Sequence, residues 1–110
     1  MILQFYFEIE KVYLNPKLKI VEVSKTIYTT DNIVRESIKN YLNLNFNDFV
    51  NEYRVNHSVK LMNSGHLNNY DISSLAKKSG FNSPQTFYRS FVKVHSISPS
   101  KYYKSNIVSN

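Results

Sequence analysis

Four polar residues near the C-terminal end fall on one side of a helical periodicity: Gln85, Thr86, Arg89 and Lys93. Their chemistry suits the edges of base pairs. Gln can bond bidentately to adenine, Arg can do the same to guanine, and Thr can touch the methyl group of thymine. A second set, Asn32, Arg35, Glu36 and Lys39, occurs earlier in the chain with similar spacing. Its glutamate repels phosphate, although it can accept from the amino group of cytosine. Any amphipathic surface helix exposes polar residues, so these two faces become informative only through the elements that hold them.

The stretch from Ile72 to Lys93 has strong local signals. Asp71 is a good N-cap for the helix beginning Ile72-Ser73-Ser74-Leu75-Ala76. Small Ala76 lets a second helix approach closely, Gly80 provides a tight turn, and Phe81 plugs the corner. Ser83-Pro84 then starts another helix, with a capping hydroxyl followed by a residue whose missing N–H costs nothing there. Phe87 and Phe91, at i and i+4, face inward. Two helices joined by such a turn leave the second one free to enter a major groove. The segment from Val23 to Lys39 repeats the plan less cleanly. Val23-Ser24-Lys25 leads to a turn at Tyr28-Thr29, and Thr30 caps a helix with Asp31 in its first turn, where the helix dipole favours an acid.

Around these units the periodicity predicts an all-α chain of about seven helices. Ile2, Phe5, Ile9 and Val12 define the buried face of a first helix running to about Leu14. Asn15-Pro16 marks a turn, and a second helix starts near Ile20. Ile33, Val34 and Ile38 are the apolar residues of the third. Phe49, Val50, Tyr53, Val55 and Leu61 describe a long helix over 47–63, ended by Asn63-Ser64-Gly65. His66 to Tyr70 reads as a loop. Ser98-Pro99 opens a last short helix, and the tail after Lys104 is expected to fray.

Composition narrows the chemistry further. The 110 residues include nine Tyr, seven Phe, two Gly and no Cys. Disulfides, thiolate metal sites and cysteine nucleophiles are therefore excluded. His57, His66 and His95 lie in different elements with no partner at ligand spacing, and no phosphate-cradling Gly loop exists, so neither a metal site, a cofactor nor an enzyme is expected. Residues 1–55 hold seven Lys/Arg against seven Asp/Glu, whereas residues 56–110 hold seven against Asp71 alone. The whole net charge of +6 thus lies in the second half, where it would attract phosphate or an anionic membrane, or simply solvate the surface. The lysines are dispersed over several short helices, which argues against a membrane-surface helix. No run is long enough to span a bilayer, and the apolar start lacks a basic leader and a cleavage site. A helical protein-interaction module would share this fold without needing phosphate, and it remains the alternative.

The pattern Ile72-Ser-Ser-Leu-Ala-Lys-Lys-Ser-Gly-Phe81, then Phe87-Tyr-Arg-Ser-Phe91, then Ile97-Ser-Pro99-Ser-Lys-Tyr102-Tyr-Lys104 resembles the signature of AraC/XylS-type transcription regulators. Phe46-Asn-Asp-Phe49-Val-Asn-Glu-Tyr53-Arg54 is similar to the start of that family's linker helix, and Asn15-Pro16-Lys-Leu18 to the segment before its first unit. The resemblance spans roughly residues 5–104. It implies two three-helix, homeodomain-like helix-turn-helix subdomains, at 1–46 and 64–110, joined by a linker helix at 47–63. The recognition helices would be 31–39 and 84–93, carrying the two polar sets named above to double-stranded DNA. Glu36 departs from the usual basic or polar residue, Ser37 from a buried apolar one, and Asn43 and Ser96 from the glycine usual after each recognition helix. The resemblance further implies a transcription regulator, an activator or a repressor, in the bacterial cytoplasm, at the nucleoid when bound, with RNA polymerase as a further partner. It favours a fragment of a larger regulator with a separate sensing or dimerisation domain over a small stand-alone member.

Overall fold

The computed structural model describes residues 2–108; the outermost expected bounds, residues 1 and 110, lie outside the described residues. Among the described residues there are eight α-helices and no strand: α1 (Ile2–Glu10), α2 (Ile20–Thr26), α3 (Asp31–Leu42), α4 (Phe46–Asn63), α5 (His66–Asn69), α6 (Ile72–Lys78), α7 (Pro84–His95) and α8 (Pro99–Tyr103). The all-α reading therefore holds, with one helix more than expected. That helix is α5, a single turn inside the stretch expected to be a loop.

The first helix corrects the sequence reading twice. It stops at Glu10, because Lys11 takes a left-handed conformation (φ 51°) and a 3-10 turn, Val12–Leu14, follows. Its buried face is also the other one. Leu3 and Phe7 are buried, whereas Ile2, Phe5 and Ile9 are 71%, 64% and 62% exposed. Both faces of this helix are apolar at helical spacing, so periodicity alone could not choose. The choice is made by partners far along the chain: the Phe7 ring lies 5.0 Å from that of Phe49 and 5.3 Å from that of Tyr53. Of the three apolar residues of α3, Ile33 is 52% exposed, and Val34 and Ile38 carry that helix's burial.

Two cores result, and α4 belongs to both. Its first half gives Phe49 and Val50 to a core with Leu3, Phe7, Tyr13, Val23, Val34 and Ile38. Its second half gives Val55 and Met62 to a core with Leu75, Ala76, Phe81, Phe87 and Phe91. At 3.6 residues per turn, the step from Phe49 to Val55 rotates the buried face by about 120°. One helix thus presents different sides to its two ends, which explains why its apolar pattern looks irregular in the sequence. The tail also differs from expectation. Lys104–Val108 forms a π-helical turn, and Ile107 packs against the second core.

Caps fix five helix starts, four of them at the expected residues; Asn45 was not expected as a cap, and it starts α4 at Phe46 rather than 47. The side chains of Thr30, Asn45, Asp71, Ser83 and Ser98 each accept a backbone N–H three residues on. Each such cap contributes about 1 kcal/mol.

Candidate nucleic-acid interface

The framework under α7 follows from its sequence. Asp71 Oδ1 accepts from Ser74 N at 2.8 Å and starts α6. Gly80 closes it with φ 93°, and the Phe81 N–H donates back to the Ala76 carbonyl at 3.1 Å. Ser83 Oγ accepts from Thr86 N at 3.2 Å and starts α7. Inside the corner, the Phe81 ring sits 5.2 Å from Phe87, which sits 5.7 Å from Phe91. Ala76, Phe87 and Phe91 are at most 1% exposed. With one side of α7 anchored in this way, the opposite side is committed to solvent.

On that side Gln85 and Arg89 are exposed and line an open hollow of about 450 Å³ with Pro84 and Tyr88. Thr86 is half-buried. Its hydroxyl accepts from Ser83 Oγ at 3.1 Å and from an Arg89 guanidinium N–H at 3.5 Å. Lys93 is exposed but ion-paired with Asp48 on α4 at 2.8 Å. The sequence reading passed over Tyr88, which is 54% exposed. A signal for it existed: aligning the two caps, Thr30 with Ser83, sets Tyr88 opposite Arg35.

The first unit is built alike. Buried Ser24 stands where its helices meet, and its hydroxyl donates to Asp31 Oδ1 at 2.5 Å. Asn32, Arg35, Glu36 and Lys39 are all exposed on α3, and Arg35 donates to Asn32 Oδ1 at 3.4 Å. Arg35 and Lys39 also share a hollow of about 650 Å³ with Lys19, Leu18, Ile20, Leu44 and Phe46. Among the described residues its wall holds three cations and no acid. Lys19 was not legible as part of this site, because only the packing of α2 on α3 brings it beside Arg35.

Three departures from the family pattern now have structural counterparts. Asn43 and Ser96 both adopt positive φ, 56° and 68°, each donating its N–H to the carbonyl four residues back. The backbone demand for a left-handed residue persists although the glycine is gone. Ser37 lines an apolar hollow of about 120 Å³ with Ile2, Leu3, Ile27, Ile33 and Val34. That hollow is the space a larger apolar side chain would fill.

The histidines are structural neighbours rather than a cluster. His66 Nε2 lies 3.2 Å from Ser74 Oγ. His95 is held between the rings of Phe91 and Tyr102, both 4.7 Å away, and burial lowers its pKa. The pKa of His57 is lowered by burial and then by Lys11 and Lys60. Burial, Glu8 and Tyr13 push Tyr53 up to about 12. Among the described residues no helix is long and apolar enough to cross a membrane.

A family model described as a helix-turn-helix domain matches residues 24–105. Among solved structures, the C-terminal domain of AraT, a response regulator from Geobacillus stearothermophilus, superposes with a TM-score of 0.77 at 20% identity, covering 96% of this chain and 85% of that one. The DNA-binding domain of AdpA, a global transcriptional factor solved in complex with a target DNA, gives 0.77 at 14% identity over 97% and 90%. ToxT from Vibrio cholerae gives 0.75 at 20% identity, over 94% of this chain and 35% of that one. A comparison with curated proteins finds no match.

Proposed function

The chain belongs to the AraC-type helix-turn-helix family, and from that premise we propose that it binds double-stranded DNA sequence-specifically, with α3 and α7 in adjacent major-groove segments. The observation that carries this reading is the outward face of α7, where Gln85, Tyr88 and Arg89 converge on one open hollow over the packed rings of Phe81, Phe87 and Phe91. The related AdpA domain was solved on its target DNA, which supports the same use of the fold. Two segments one helical turn apart lie ~34 Å from each other, and the molecule is 44 Å long.

In this reading Gln85 pairs with adenine and Arg89 with guanine. Thr86, with its hydroxyl engaged by Ser83 and Arg89, has its methyl group left for thymine. In the first unit Asn32 reads adenine, Glu36 accepts from cytosine, and Arg35, Lys39 and Lys19 face the phosphates. Lys93 reaches a phosphate only by leaving Asp48. AraT's matching part is the C-terminal domain of a response regulator, and the chain spans about a third of ToxT. Both support a role as the DNA-binding part of a larger regulator. Activation through RNA polymerase at the bacterial nucleoid is the corresponding wider role.

Selection of bound duplexes from a random pool tests the reading. Two conserved blocks about one helical turn apart are expected. A single conserved block would remove α3 from base reading, and no enrichment at all would overturn the proposal.

A further inference from the structure

Where the two cores meet, α4 carries Arg54, and its side chain reaches across the junction. Its Nε donates to the Tyr13 carbonyl at 2.7 Å and one terminal nitrogen donates to the Asn15 carbonyl at 2.9 Å. The other terminal nitrogen donates to Asn51 Oδ1 at 3.2 Å. The guanidinium also stands 5.8 Å from the centre of the Phe81 ring. The planar fork of Arg suits two carbonyls held at fixed spacing, and its face suits an aromatic ring.

The corner of the second unit closes on the same segment of the first. A Cβ on Gly80 would lie 2.4 Å from the Tyr13 carbonyl oxygen and 2.9 Å from Leu14 Cα. Glycine is therefore required by a neighbour in the other unit as well as by φ. Two residues on, Asn82 Nδ2 donates to the Pro16 carbonyl at 3.0 Å. Residues 13–16 are thus gripped from α4 by Arg54 and from the second unit by Gly80 and Asn82. Ser83, which caps α7, follows Asn82 directly.

We infer that Arg54, with Gly80 and Asn82, is the positioning device that fixes the distance and rotation between α3 and α7, and so sets the spacing of half-sites the chain accepts. The unbroken α4, which packs on both α3 and α7, carries the two units, and Arg54, Gly80 and Asn82 add a directional, hydrogen-bonded grip on residues 13–16. The Lys93–Asp48 pair also ties α7 to the first half of α4, but Lys93 is 67% exposed, and such a pair constrains little. The inference rests on the reading that both helices reach DNA, yet its geometric part can be measured without DNA.

The chain has no cysteine, so Asn40→Cys and Tyr88→Cys introduce two unambiguous sites for nitroxide labels on α3 and α7. Pulsed electron spin resonance on the free 110-residue chain should give one narrow distance, and Arg54→Met should broaden or shift it while helical content is kept. Arg54→Lys, which keeps the charge but not the fork, should fall between. On unlabelled protein, the probe is the duplex selected from the random pool, with one base pair inserted between its two blocks. The insertion moves one block by ~3.4 Å and turns it by ~35°. It should cost the unsubstituted chain about tenfold or more in affinity, on the scale of a mismatched base pair, and cost Arg54→Met much less. If Arg54→Met does not fold, Asn82→Ala, which removes one exposed hydrogen bond, is read in the same two ways. A folded variant with an unchanged distance distribution and an unchanged insertion penalty overturns the inference. If no duplex is selected, the DNA reading fails, and the distance distributions alone decide whether the junction positions the helices.

Discussion

Tyr28 occupies the turn of the first unit with φ 58°, and its side chain is 96% exposed. Left-handed backbone costs a bulky L-residue on the order of 1–2 kcal/mol, and here no burial offsets it. Gly80 holds the matching place in the second unit, three residues before its cap rather than two. Tyr28→Gly should therefore stabilise the chain, by up to about 1 kcal/mol after the extra freedom glycine gains in the unfolded state. Denaturant unfolding checks this, and an unchanged or lower midpoint would mean that the ring contributes to the folded state despite its exposure. Gly80 is the opposite case, because its Cβ would collide with backbone in the other unit. The turn residue was legible at both positions; that one of them also serves the junction was not, since Tyr13 and Leu14 are distant in sequence.

At the scale of elements, α7 and α8 meet through an aromatic stack that includes His95. The ring is held between Phe91 and Tyr102, and its Nε2 is buried without a hydrogen-bond partner in the structure. Burial lowers the pKa of His95 and, with Lys11 and Lys60, that of His57. The folded state then prefers both rings neutral, while the unfolded chain protonates near the ordinary value of ~6.5. Their contribution to stability is present above that value and is lost as pH falls through the lower folded values. The melting temperature should be lower at pH 5 than at pH 7.5. The last turn of α7 favours a positive charge, so a higher melting temperature at pH 5 would show that the helix end outweighs burial. The histidine positions were plain in the sequence, but their surroundings depend on how α7 meets α8 and how α4 meets the first turn.

The molecule as a whole carries +6, with the excess in the second half, the half that contains α7. Binding that neutralises phosphates releases counterions, so affinity for the selected duplex should fall linearly with salt on logarithmic axes. Between 50 and 200 mM salt the loss should be roughly a hundredfold or more for several phosphate contacts. Titration at three or four salt concentrations measures the slope. A flat response would favour the helical protein-interaction module over DNA binding. The molecule measures 44 × 23 × 23 Å, longer than the ~34 Å between adjacent major-groove segments.

The sequence by itself determined the starts of α3, α6, α7 and α8, the turns of the two units and the polar faces of α3 and α7. These depend on neighbours within a few residues: a capping oxygen three positions before the N–H it accepts from, a proline at the first helical position, an i, i+4 pair of phenylalanines. The tertiary structure decided which face of α1 is buried, because Leu3-Phe7 and Ile2-Phe5-Ile9 are equally good stripes until Phe49 and Tyr53 select one. It decided that α4 turns its buried side by about 120° along its length, serving two cores that are separate in sequence. It alone brought Arg54, Gly80 and Asn82 onto residues 13–16, since carbonyls that accept across 39 to 66 positions leave no periodic trace. Local rules act through bonded geometry and are written in the chain. Contacts between distant segments are fixed only when packing closes the cores.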